Sequence, residues 1–381
     1  MKRSTARPAQ TTRSDELITR RRFAVGLGLA LGGTLGVKRE LLGASPMAES
    51  SVEPFLTPYH YDKLILKATG IAGTFDSKSV DDPIVFRHDG AFYMLYIGFD
   101  GVGYQTGLAK SNDLVDWKRV QCVARRDPHS KYTQYNVALS SILREKGLRS
   151  RGRALKVNGR YLGAWNAYPK PGYEEGAAVI GLAWSDDLLR WELTEPILFP
   201  EHGAPWEHGG LYRPDLLLDD GVYYLYYNAK TDLRPKAQGG GWREQTGVAT
   251  SRDLKQWTRY EGNPILRNGG PGAWDELFAS NPYVVRYRDK WSMYYYGLDK
   301  KGKARDLLAL GDDPYHFTKV NQIIIDTGAP GSVDETYAHK PSVIWHGGQL
   351  YHFYCAVSGR WPNEVRGISV ARSRPWPHRP A

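Results

Sequence analysis

Cysteine is scarce in this chain of 381 residues, with Cys122 and Cys355 the only two. Two thiols cannot build a disulfide framework, and no paired-cysteine spacing suggests a structural zinc site. Helical periodicity is scarce too: beyond the first 50 residues, no stretch of helical length repeats apolar residues every three or four positions. Apolar runs stop short of the ~20 residues that a membrane-spanning helix needs. The formal charge of +10 suggests a polyanionic partner until it is divided along the chain. Residues 1–50 hold nine Lys/Arg against four Asp/Glu, which leaves +5 for everything else. No Lys/Arg cluster outside that leader is long enough to form a basic stripe, so nucleic-acid binding is not expected.

What the chain has in quantity is aromatic rings, 12 Trp and 25 Tyr. Such rings fill cores and also stack on the apolar faces of sugars. The leader carries Thr19-Arg20-Arg21-Arg22-Phe23 ahead of an uncharged stretch from Phe23 to Val37 rich in Ala, Gly and Leu. It resembles a twin-arginine export signal. Residues 1–50 are therefore expected to be signal and linker. The mature protein should begin between Ala44 and Val52, lie in the periplasm or outside the cell, and keep no stable membrane insertion. The alternative is a basic N-terminal anchor helix, since the small-residue cleavage signal near Ala44 to Ala48 is poor.

The rest of the chain repeats itself. A turn residue and an aromatic-rich strand recur as Gly90-Ala91-Phe92-Tyr93-Met94-Leu95-Tyr96, Gly159-Arg160-Tyr161-Leu162-Gly163-Ala164-Trp165 and Gly221-Val222-Tyr223-Tyr224-Leu225-Tyr226-Tyr227. Two more copies start at Asp289 and Gly348, and the spacings are 69, 62, 68 and 59 residues. A second phrase follows as Ser111-Asn112-Asp113-Leu114 with Trp117, Ser185-Asp186-Asp187-Leu188 with Trp191, and Ser251-Arg252-Asp253-Leu254 with Trp257. It is weaker at Gly311-Asp312-Asp313, and Ser373-Arg374-Pro375-Trp376 reads as a truncated fifth. Ser and Asp turns should break the third strand of each unit there, with the Trp opening the fourth. The reading is all-β: a five-bladed β-propeller of four-stranded antiparallel blades over residues 51–381, expected to be a monomer. Arg144 to Arg153 interrupts the second unit with charge.

Four strand openings precede a proline: Asp81-Asp82-Pro83, Tyr212-Arg213-Pro214, Ser280-Asn281-Pro282 and His339-Lys340-Pro341. In a propeller such positions converge on the central funnel. With these residues the chain resembles the five-bladed propeller glycosidases related to glycoside hydrolase family 43, with families 32, 117 and 130 as neighbours. The resemblance covers residues 60 to 376 and implies hydrolysis of an oligo- or polysaccharide, by inversion, without a cofactor. It places the general base at Asp82, with Asp81 beside it, and the residue that orients substrate and tunes the acid at Asp215. The family's acid would precede the fourth opening, where Ser280 stands. Glu276 is taken as the acid instead, with Glu335 and His339 as rivals. Asp81, Arg213, Trp274, Asn281, Glu335, Tyr337 and His339 are expected to bind substrate, and Trp206 is a further stacking candidate. Two carboxyl groups, one protonated and one ionised, are what glycoside cleavage needs. A non-catalytic sugar-binding propeller would keep the aromatics without the pair. A phosphorylase would use Arg213, His339 and Lys340 to hold phosphate. No metal motif is visible, and an ion beside His339 is the one place where a metal is conceivable.

Overall fold

The computed structural model describes residues 52–231, 242–360 and 363–377; the leader lies outside the described residues. Apart from three short 3-10 turns, the regular structure among the described residues is strand, as expected. None of the described helices is long and apolar enough to cross a membrane.

The strands form five antiparallel meanders. Meander I comprises Ser79–His88, Ala91–Phe99, Tyr104–Ser111 and Lys118–Ala124. Meander II runs Ala138–Ile142, Arg160–Ala167, Val179–Ser185 and Glu192–Leu198, with the short Lys156–Val157 added. Meanders III and IV begin at Leu211–Asp219 and Phe278–Tyr287, and their fourth strands shrink to Thr258–Arg259 and Thr318–Lys319. Meander V has Tyr337–His346, Gln349–Ser358 and Val365–Arg372. Its outer partner comes from the other end of the chain: Tyr59 and His60 pair with Arg372 and Ala371, and Leu66 and Lys67 with Ile368 and Gly367. Ser373 to Trp376, read above as a truncated fifth phrase, instead packs on this strap, with the Trp376 indole N–H donating to the Tyr59 carbonyl at 2.9 Å.

The second phrase works as its chemistry suggests. Ser111 Oγ accepts the Leu114 N–H, Asp113 Oδ1 accepts those of Val115 and Asp116, and the Trp117 indole donates to the Leu114 carbonyl. Ser185, Asp187 and Trp191 repeat this, as do Ser251, Asp253 and Trp257. Two side-chain acceptors in five residues satisfy the turn's N–H groups, which lets the intervening Leu take a left-handed φ of 62° to 71°.

A second device ties the loop before the first strand to the flank in four of the meanders. Tyr96 donates to Asp76 at 3.0 Å, Tyr295 to Asp275 at 3.1 Å and Tyr354 to Asp334 at 2.9 Å, and Tyr227 makes the same bond to Glu207. Each acid also meets a basic side chain of the outer strand, respectively Arg119, Lys319, the His60 imidazole and Arg259. Bonds also join neighbouring meanders along the first strands: Val85 N–H to Ser342 Oγ, Leu216 N–H to Ser141 Oγ, Val284 N–H to Asp215 Oδ2, and Tyr283 O–H to the Val343 carbonyl. Meanders I and II meet through the Val137 N–H and the Tyr104 carbonyl.

Candidate active site

The residue before each strand-opening proline is the key to the site. Asp82, Arg213, Asn281 and Lys340 have φ of 60°, 50°, 61° and 69°. A residue before proline ordinarily stays extended, and a left-handed φ at a residue other than glycine is strained. At each of the four the strand register skips, between Asp81 and Ile84, Tyr212 and Asp215, Ser280 and Tyr283, and His339 and Ser342. Meander II skips between Leu139 and Ser141 without a proline. Such bulges re-aim side chains. Here they turn Asp82, Ser140, Arg213, Asn281 and Lys340, one from each meander, into a single pocket. Tyr104, Asn166, Tyr168, Glu174, Tyr212 and Tyr296 complete its wall, around about 380 Å³ of empty space that includes open solvent.

Charge in the pocket is arranged in layers. Arg213 Nε lies 2.5 Å from Asp82 Oδ1, both side chains being buried. Burial pushes the Asp82 carboxyl above its ordinary value, while Arg213 and Lys340 pull it back. Asp81 is fully occupied, accepting Lys340 Nζ at 2.6 Å, Arg366 Nη1 at 2.9 Å, Tyr173 Oη at 3.2 Å and the Asp82 N–H at 2.7 Å. Burial alone would raise its pKa, but Lys340 and Arg366 outweigh it and hold the carboxyl far below the usual range. Asp81 is thus a permanent anion that fixes Lys340.

Two glutamates near the pocket were not singled out in the sequence. Glu174 lines it from the loop after the second strand of meander II, its side chain 23% exposed, and its Oε2 is 3.2 Å from Lys230 Nζ. Burial raises its pKa, Lys230 and Lys340 lower it, and the cations prevail. Glu244 opens the third strand of meander III directly across from Lys230. It is buried, and accepts the Trp242 indole N–H at 2.8 Å, Ser280 Oγ at 2.8 Å and Tyr296 Oη at 3.2 Å. There burial, helped by the nearby Glu174 charge, prevails over Lys230, and the carboxyl holds its proton to higher pH than usual. The Lys230 ammonium also sits over the rings of Tyr168, Tyr212 and Trp242, 4.8 to 5.1 Å from their centroids.

The other expected residues lie apart from this pocket. Asp215 is buried one step further along its strand, gripped at both oxygens by Lys146 Nζ at 2.6 Å and capping the Val284 N–H. Glu276 accepts the Gly272 N–H at 2.9 Å and pairs with Lys300 at 2.5 Å, which holds its pKa down. Glu335 makes the same loop bond to the Gly331 N–H at 2.7 Å, and a second to Gly359. His339 is buried, Nδ1 facing the Cys355 carbonyl at 3.2 Å, and burial drives its pKa down to about 3. Tyr337 packs against His339, Trp206 stacks on Tyr227, and Trp274 packs with the hydrophobic cluster between meanders III and IV. Among the described residues no cluster of metal-ligating side chains is found.

No protein-family model matches the chain. The 1,2-β-oligomannan phosphorylase of Thermoanaerobacter sp. (strain X514) is 29% identical over 157 residues, 40% of this chain and 43% of that protein, so the match spans less than half of the relative. Among solved structures, the BT0996 protein of an RGII complex superposes with a TM-score of 0.72 at 27% identity, covering 86% of this chain and 94% of that one. A glycoside hydrolase gives a TM-score of 0.72 at 26% identity, covering 86% and 95%. Structures from families 130, 43 and 117 share the fold at 16%, 17% and 14% identity, with TM-scores of 0.59, 0.53 and 0.57. The fold is that of the propeller glycosidases.

Proposed function

We propose that this protein is a glycoside hydrolase acting on an oligo- or polysaccharide, with Glu244 as general acid and Glu174 as the ionised carboxylate. In this reading the five meanders are the five blades of a propeller, the fifth completed by the strap at residues 59–67. The observation that carries it is the pair of glutamates around Lys230, Glu174 on the pocket wall and Glu244 buried and hydrogen-bonded to the wall residue Tyr296, their pKa values driven in opposite directions. Environments that push two carboxyls apart assign the acid and the base. Glu244 would give its proton to the glycosidic oxygen as the C–O bond breaks. Glu174 would take a proton from the water that attacks the anomeric carbon. Asp82, held by Arg213, and Asn281 would grip the sugar; this moves the base from Asp82, where the family 43 pattern puts it. Buried Arg213 Nη2 and Asn281 Nδ2 have no hydrogen-bond partner among the described residues, and sugar oxygens would supply one.

Inversion is proposed on the family 43 likeness, and the anomer formed first, read by NMR, tests it. Phosphorolysis is the second reading, favoured by the phosphorylase relative and by Arg213 and Lys340 on the pocket wall. The deciding assay offers β-1,2-mannosides and RGII fragments, which the names of its relatives carry, with and without inorganic phosphate. Hydrolysis at equal rate in both supports the proposal; turnover only with phosphate would replace it. Export on the leader belongs to the same proposal: changing Arg20 and Arg21 to Lys should leave the precursor inside the cell, and normal export of that variant would remove the assignment.

A further inference from the structure

The charged interruption of meander II packs against the far ends of the first strands. The first strands run from the pocket at Asp82, Arg213, Asn281 and Lys340 toward Arg87, Arg286 and Trp345. There, residues 143–155 cross from one strand end to another. The Arg87 N–H donates to the Gly152 carbonyl and the Ala154 N–H to that of Arg87; the Leu148 N–H donates to the Arg286 carbonyl and the Arg286 N–H to that of Lys146.

This crossing brings Arg144 and Lys146, 2% and 5% exposed, against the single carboxylate of Asp215. Lys146 takes both oxygens at 2.6 Å, leaving Arg144 Nη1 at 3.9 Å from the acid. Arg144 otherwise has the Ile142 carbonyl at 3.3 Å and the face of Tyr283 at 4.3 Å, and its buried Nη2 has no hydrogen-bond partner among the described residues. Glu145, the other acid at this end, is engaged by Arg153. Arg149 lies over Tyr287 and Trp345 and adds further positive charge. Two buried cations thus share one anion, an arrangement that costs several kcal/mol unless something offsets it. Burial and Arg144 push the Lys146 pKa down to about 7 against the pull of Asp215, which is the strain expected of such an excess.

Arg144 and Lys146 line a small cavity with Glu145, Tyr283, Ser150 and Ile344, with room for about one water-sized sphere; the Glu145 carboxylate is paired with Arg153. We propose that this cavity binds one small monatomic anion of chloride size, held by Arg144 Nη2 and the Lys146 ammonium. The two cations select an anion, since Glu145 is already neutralised by Arg153. The site shares no lining residue with the pocket and does not depend on the glycosidase reading.

The test is a bromide soak of crystals of the protein, read by anomalous scattering. The proposal expects a peak within hydrogen-bonding reach of Arg144 Nη2; an ordered water there with no anomalous signal would overturn it. In solution, the melting temperature should rise with the logarithm of chloride concentration at ionic strength held constant with gluconate. Arg144→Met should abolish that dependence, and if that variant does not fold, Lys146→Met serves in the same assay. A wild-type melting temperature indifferent to chloride would also contradict the site.

Discussion

Asp76, Glu207, Asp275 and Asp334 sit on the flanks of four meanders and do the same thing four times, each taking a tyrosine hydroxyl and meeting a basic side chain of the outer strand. Glu174 lines the pocket, Glu244 is hydrogen-bonded to its wall residue Tyr296, and each occurs once. Glu276 and Glu335 behave like the flank set, since both brace a glycine N–H four residues back. In a protein built of repeats, a carboxylate whose partners recur in every unit is holding the unit together, and one whose surroundings occur once is free to carry chemistry. Meander III makes the point within one strand: Glu244-Gln245-Thr246-Gly247 follows the register of Tyr104-Gln105-Thr106-Gly107 in meander I, with glutamate in place of tyrosine.

Four substitutions probe this contrast. Glu174→Gln should lower turnover by about 10²–10⁴-fold, the usual contribution of a base, with the melting temperature kept. Asp275→Asn should do the reverse. Asp275 is buried but its partner Lys319 is 31% exposed, so the loss should be about 1–2 kcal/mol, seen as a lower urea midpoint, while kcat of the folded protein stays. Lys230→Met should move the whole pH–rate bell upward by roughly one unit or more, because both glutamates lose a cation that lowers their pKa. The acidic limb, where Glu174 must ionise, rises with its pKa; the basic limb, where Glu244 must keep its proton, rises as well. A profile that stays in place would separate Lys230 from the pair. Glu276→Gln should leave turnover and melting temperature at wild-type values, and a loss of turnover would erase the line between flank and pocket.

Much of the architecture was legible because it repeats. The aromatic strands and the Ser-Asp turns gave five units, and the x-x-Pro openings gave Asp82, Arg213, Asn281 and Lys340 as a convergent set. The strap was not legible, since Tyr59, His60, Leu66 and Lys67 form strands of only two residues that pair with the far end of the chain. Glu174 escaped notice because it lies in a loop, Gly172 to Gly176, that no other unit shares. Glu244 left a trace in the exchange of Tyr104 for Glu, visible only when the two Gln-Thr-Gly phrases are aligned. Glu276 drew attention because the family pattern wants a glutamate near Ser280. Yet the oxygen of Ser280 itself donates to Glu244, so in the proposed reading the acid reaches that place from the neighbouring meander.

The measurement that bears most directly on the central claim is the dependence of rate on leaving group for Glu244→Gln, with Glu174→Gln beside it. A phenolate departs with little help, whereas a sugar alkoxide needs a proton as its bond breaks. The account predicts that Glu244→Gln stays close to wild type on an activated aryl glycoside and falls steeply on the oligosaccharide, while Glu174→Gln is slow on both. Equal losses of Glu244→Gln on the two substrates, or none on either, would contradict the assignment of Glu244 as the acid.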